Sequence, residues 1–170
     1  MKGATNSLVT TERTNAVIAK LKDSGINLQE LASVNAFWDK DFAESSINSL
    51  FLKYDGAIEA IISNNDAMAI GAIKSLQKYG YNKGDNSKYI PVVGVDATAP
   101  ALQAMKDGSL LGTVLNDAES QGKATVNIAL AAAQGKEINK ENVGYDVTDG
   151  KYVWIDYVKV TQDNYQKYIK

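Results

Sequence analysis

Residues 57–80 read AIEAIISNNDAMAIGAIKSLQKYG, and the reading of this stretch decides the fold. Residues 57–63 are short, apolar and β-branched at their end, which reads as a buried strand. Ala69, Ala72, Ile73 and Leu76 then recur at i, i+3, i+4 and i+7, the spacing of one buried helix face, and Gly80 supplies a stop. Between strand and helix stand Ser63, Asn64, Asn65 and Asp66. Asp66, or Asn65 before it, suits the N-cap, because a side-chain oxygen there accepts from a free N–H of the first turn. One cap needs one residue, so at least two polar side chains are left for another task.

The same strand-to-helix handover repeats on both sides. A helix over 10–24 carries Ala16, Val17 and Leu21 and ends at Gly25. LASVNAFW (31–38) alternates as a strand with Ala32, Val34, Ala36 and Trp38 on one face, and a helix over 41–54 follows, closed by Asp55 and Gly56. Beyond the loop YNKGDNSK come a strand in YIPVVGV, a helix opened by Thr98 and Pro100 and closed by Gly108, and a strand in LLGTVL. An Ala-rich helix over about 118–134, a strand in YVWIDYVKV and a short terminal helix in QDNYQKYI complete the chain. Strands alternating with helices specify an α/β fold of three layers, α/β/α, around a mainly parallel sheet.

Composition narrows the function. Among 170 residues, 45% are hydrophobic and 22% charged, which fits a globular chain with a sizeable core. Eighteen Lys and Arg against 20 Asp and Glu leave a net charge of -2 with no basic run, so no nucleic-acid partner is expected. Absence of His and Cys excludes thiol nucleophiles, His-based triads and His/Cys zinc sites. The opening MKGATNSLVTTERT has no apolar core segment, so no signal peptide is expected within this chain.

In a parallel sheet, ligands bind outside the carboxyl ends of the strands. Four such ends read FWD, SNND, GVD and LND, placing Trp38, Asp39, Asn65, Asp66, Asp96, Asn116 and Asp117 along one rim. Capping explains about half of them, since Asx residues favour strand-to-helix turns. Amides, carboxylates and one indole suit a neutral, hydroxyl-rich ligand better than a phosphate, which would call for glycine loops and cations.

The segments ERTNAVIAKLK, SNNDAMAIGA, PVVGVDA and GTVLNDAESQGKA resemble, in order and spacing, the C-terminal half of bacterial periplasmic galactose/glucose-binding proteins, sugar receptors of ABC transporters and chemotaxis. The resemblance runs from Lys2 to Lys170 and implies a type I periplasmic-binding-protein-like lobe. It implies ligand contacts at Arg13, Asn65, Asp96 and Asn116, with Trp38 flanking the sugar ring. Two departures stand out. Where the family carries a His and an Asp upstream of the arginine, this chain has Ser7 and Val9. Glu59 occupies the place of a distal calcium ligand, but the rest of that site has no counterpart here, so no cofactor is expected; Ca²⁺ needs about 6–8 oxygens.

By the same resemblance, residues 1–116 form the core of the C-terminal lobe, 117–150 a helix and strand that belong to the other lobe, and 151–170 the return. The function implied is non-catalytic hexose binding, weak in an isolated half. The parent would be periplasmic or extracytoplasmic and would work with ABC transporter membrane subunits or a chemoreceptor. ATVNIALAAAQG (124–135) is too broadly apolar for a helix touching one neighbour. A homodimer is therefore expected, with about 117–150 exchanged or packed across a two-fold axis. The alternative function is a truncated, self-associating interaction protein with little or no sugar binding. A repressor effector domain lacks support without a helix-turn-helix, and a glycosidase would need two opposed carboxylates in a cleft, for which Asp66 and Asp96 are poor nominees.

Overall fold

A computed structural model of the chain describes residues 1–54 and 56–169. It resolves into two compact units, Met1–Leu115 with Lys159–Lys170, and Asn116–Val158.

In the first unit, helix α1 spans Leu8–Asp23 and α2 spans Lys40–Tyr54; strand β1 (Ile61–Ile62) leads into α3 (Asp66–Lys78). Strand β2 (Val92–Val93), helix α4 (Ala99–Lys106) and strand β3 (Thr113–Leu115) follow. β1 and β2 are parallel, with Ile61 opposite Val92 and Ile62 opposite Val93. Parallel bridges Val93–Gly112 and Asp96–Leu115 carry the pairing on to β3. On the other side of β1, Met1 donates its amino group to Ile62 O at 2.6 Å, and its carbonyl accepts from Asn64 N at 3.0 Å. Lys2 in turn bridges to Asn35, also in parallel.

The periodic face read from α3 is the centre of the core. Ala69, Ala72 and Leu76 are fully buried and Ile73 nearly so, packed with Ile47 and Phe51 of α2, Val92, Leu102 and Met105, while Met68, also fully buried, packs with Ala36 and Ala43. Gly71 lets α3 approach the start of α2, because a Cβ there would overlap the Lys40 carbonyl oxygen. Gly80, with φ +83, follows the α3 C-cap and takes the left-handed conformation that ends the helix.

Two expected strands are cut down. LASVNAFW makes only the bridge at Asn35, since Phe37 and Trp38 turn to φ 55 and 67 and end the extended run; Ala32 lies exposed and only Ala36 is fully buried. The strand expected over 57–63 keeps only Ile61 and Ile62. Asp55, the first half of the expected helix stop, lies outside the described residues, while Gly56 has φ +77.

The second unit holds helix α5 (Ala118–Ala133), the short α6 (Lys140–Val143) and a hairpin of β4 (Val147–Thr148) and β5 (Tyr152–Val153). Asp149 and Gly150, both at positive φ, form the hairpin turn. Asn127 Nδ2 of α5 donates to Val143 O at 2.9 Å, beside buried Val143 and Ala131. Most of α5 is open: Val126 is 64% and Leu130 54% exposed. YVWIDYVKV is not one strand. Its first part is β5, and its last, β6 (Val158–Val160), pairs with β3, so the two ends join different ladders and Trp154 to Tyr157 cannot continue either. The terminal helix is a 3₁₀ turn over Tyr165–Tyr168.

Candidate functional site

Three of the expected residues meet directly at the strand ends of the first unit. Arg13, on α1, donates from Nη1 to Asn64 O at 2.7 Å. Its Nη2 lies 3.7 Å from Asp96 Oδ1, and its guanidinium carbon sits 6.0 Å from the centre of the Trp38 ring, the outer limit of a cation–π contact. The Arg13 and Asp96 side chains are 18% and 29% exposed, so the pair is partly shielded from solvent yet reachable. Such a charged, part-desolvated pair beside an indole offers donors, acceptors and an apolar face within a few ångströms.

Asn65 joins this group through its amide, donating Nδ2 to Trp38 O at 3.4 Å. Its Oδ1 accepts from Met68 N at 3.0 Å, making Asn65 the N-cap of α3. The carboxamide still has a second N–H and a second oxygen lone pair to offer. Trp38 is fixed by its left-handed backbone and by Gly3, where any Cβ would overlap the indole. Asn116 is the first residue of the second unit; it is half-buried and its Oδ1 accepts from Gln121 Nε2 at 2.7 Å.

The remaining rim carboxylates have local tasks. Asp39 Oδ1 accepts from Phe42 N at 2.7 Å at the start of α2, and Asp117 caps α5 by accepting from Ser120 N at 3.0 Å. Hydrogen bonds from Ser120 hold the Asp117 carboxyl below its usual range. Asp66 is not a cap at all. It is fully buried, with Oδ2 accepting from Thr98 N at 2.8 Å and Oδ1 from Thr113 Oγ1 at 2.7 Å. Burial pushes its carboxyl up to about 6, against the opposing pull of the Thr113 and Thr98 hydrogen bonds, with nearby Asp96 adding to the rise.

Asn64 is the residue that sequence reasoning quoted but did not nominate. Its Oδ1 accepts from Gly3 N at 3.1 Å and from Thr14 Oγ1 at 3.3 Å, while its carbonyl holds Arg13. The doubled Asn before Asp66 was the available signal: one amide caps the helix, so the other was free to organise the neighbouring chain. Ser7 caps α1 by accepting from Thr10 N at 3.4 Å, and Val9 is exposed. Glu59 is exposed, and among the described residues no three acidic side chains gather as a metal site. No described helix is long and apolar enough to cross a membrane.

A strand-end rim with this α/β topology defines the lobe of a type I periplasmic binding protein. The chain belongs to the periplasmic binding protein domain family, whose model matches residues 1–137. This is a family of binding proteins and not of enzymes. Over 159 residues the chain is 38% identical to the D-galactose/methyl-galactoside binding periplasmic protein MglB of Haemophilus influenzae, covering 93% of this chain and 45% of that protein. A solute binding protein of an ABC transporter from Bacillus halodurans, solved with bound myo-inositol, superposes with a TM-score of 0.80 at 30% identity, over 99% of this chain and 52% of that one. The fold is shared, at 20% identity and a TM-score of 0.82, with a periplasmic solute binding protein from Actinobacillus succinogenes solved with bound D-allose, over 98% of this chain and 53% of that one. The chain thus spans about half the length of the relatives it matches.

Proposed function

We propose that this chain is the sugar-binding C-terminal lobe of a periplasmic solute receptor serving an ABC transporter, with a hexose of galactose or glucose type as ligand. The observation that carries the reading is the Arg13–Asp96–Trp38 group, two hydrogen-bonding charges beside an indole at the strand ends. Arg13 donates to ring hydroxyls, Asp96 accepts from them, Asn65 does both, and Trp38 covers the C–H face of the ring. Asn116 is a further contact proposed from the family motif. The galactose-binding relative supports the hexose class. No metal or cofactor takes part, and Glu59 has no role in binding.

In the whole receptor, residues 117–150 belong with the other half, and membrane subunits of the transporter or a chemoreceptor read the closed state. The isolated 170-residue chain binds feebly, because half a cleft leaves water competing for every polar contact. Calorimetry against a panel of hexoses, pentoses and inositol tests this reading: a hexose preference supports it, and no heat with any sugar at high millimolar concentration overturns it.

A second reading is self-association of the chain as a homodimer through residues 117–150. The exposure of Val126 and Leu130 within that segment favours it, since uncovered apolar surface costs about 25 cal/mol per Å². Light scattering at micromolar concentration decides between monomer and dimer.

A further inference from the structure

Asp66 is placed like a helix cap and does something else. The cap of α3 is made by Asn65, and Asp66 sends its carboxylate the other way, beneath the ends of β2 and β3. Oδ2 receives both Thr98 N, at 2.8 Å, and Thr98 Oγ1, at 3.3 Å. Thr98, the N-cap of α4, makes no side-chain cap bond to its own helix. Oδ1 receives Thr113 Oγ1 at 2.7 Å, and the same hydroxyl accepts from Ala97 N at 3.3 Å. Gly94 leaves the room required, because a Cβ there would overlap Asp66 Oδ1.

The segment held this way is strained. Asp96 and Ala97 stand at φ 122 and 55, two consecutive non-glycine residues in a region that side chains disfavour. Such a conformation persists only when its surroundings over-determine it. Here the N–H groups of Asp96, Ala97 and Thr98 are bonded in turn to Val114 O, Thr113 Oγ1 and Asp66 Oδ2. Two of the three depend on the Asp66 carboxylate, one directly and one through the hydroxyl it orients.

We infer that Asp66 is a positioning residue for the candidate ligand site: through Thr98 and Thr113 it locks the Asp96–Ala97 turn and so sets the direction in which the Asp96 carboxylate meets Arg13. The importance of this lock for ligand binding rests on the sugar-site reading above; the lock itself does not. Asp66 itself touches no ligand. Its near neighbours with charge are Asp96, on the turn it holds, and Arg13, which faces Asp96 from α1.

The test is NMR of the labelled 170-residue chain, comparing the parent with Asp66→Ala, Asp66→Asn and Thr113→Val. Asn preserves the shape, since its Nδ2 donates to Thr113 Oγ1 while its oxygen keeps Thr98. The expected result is that Ala at 66 and Val at 113 shift the Asp96 and Ala97 backbone couplings and carbon shifts toward negative φ and move the Arg13 guanidinium resonance, whereas Asn leaves all three near the parent. Saccharide-induced shifts at Asp96 weaken about 5- to 30-fold in the first two variants and recover with Asn. If Asp66→Ala does not fold, the isosteric Thr113→Val variant decides. A folded Thr113→Val chain with parental couplings at Asp96 and Ala97, losing only global stability, overturns the inference. Couplings that change in a chain whose parent binds no sugar uphold the lock and refute the binding reading, so the two failures are separable.

Discussion

Gly3 and Trp38 are matched in shape: the position a Cβ would take on residue 3 is already filled by the six-membered ring of the Trp38 indole. The ring that flanks Arg13 therefore owes its place to a missing methyl group on another segment. Gly3→Ala is expected to push the indole off this seat, move Trp38 emission and destabilise the chain by about 1–3 kcal/mol. Fluorescence in a Trp154→Phe background, which leaves Trp38 as the only indole, reads this directly. An unchanged emission maximum with unchanged stability contradicts it.

Asp66 gives stability a pH dependence of known sign. Its folded pKa of about 6 lies above the ordinary 3.8, so the folded chain holds the proton more tightly than the unfolded chain. That contribution is fully present below about pH 4 and is lost as pH rises through 6. It amounts to about 3 kcal/mol at most, because each tenfold difference in proton affinity between the folded and unfolded chain is worth roughly 1.4 kcal/mol. Asp66→Asn removes the titration. The stability difference between parent and variant, from denaturant midpoints at pH 4 to 7, is expected to move in favour of the variant as pH rises. A difference that stays flat over that range contradicts the assignment.

Gly71→Ala sets two effects against each other. Helix propensity favours Ala by about 1 kcal/mol, but the new methyl would run into the Lys40 carbonyl, a backbone atom that cannot step aside. The collision is expected to win, with a net loss of about 1–3 kcal/mol in thermal or chemical unfolding. A stabilised variant would show that α2 and α3 separate freely.

Trp38 is the expected optical reporter of sugar. Trp38→Phe should abolish the fluorescence change that saturating hexose produces in the parent, while Trp154→Phe should retain it. The reverse pattern would move the ligand away from the Arg13 group.

The helices were legible because their signals are local. The face Ala69, Ala72, Ile73 and Leu76 is buried as its spacing indicates, and Gly25, Gly80 and Gly108 follow their helices in left-handed conformations. Strand extents were less legible, because pairing depends on distant partners. Trp38 leaves the extended region for a helix entry, and YVWIDYVKV divides between two ladders that no local pattern separates. At the rim, the residue types pointed to Trp38, Asn65 and Asp96, while Arg13 came only from the family motif, since an arginine on a helix carries no sign of where it reaches. Asn64 and Asp66 were visible as an excess of polar groups over what one cap needs. Their separate tasks lie in Gly3, Thr14, Thr98 and Thr113, which are remote in sequence.

The central claim, a sugar site built on the Arg13 group, is tested most directly by titrating the labelled chain with D-galactose and D-glucose and following side-chain and backbone resonances. The account predicts saturable shifts at the Trp38 indole N–H, the Asn65 carboxamide, the Arg13 guanidinium and the Asp96 amide, with half-saturation in the millimolar range or weaker for the monomer. Shifts absent from these four groups at saturating sugar, or confined to other parts of the chain, would contradict it.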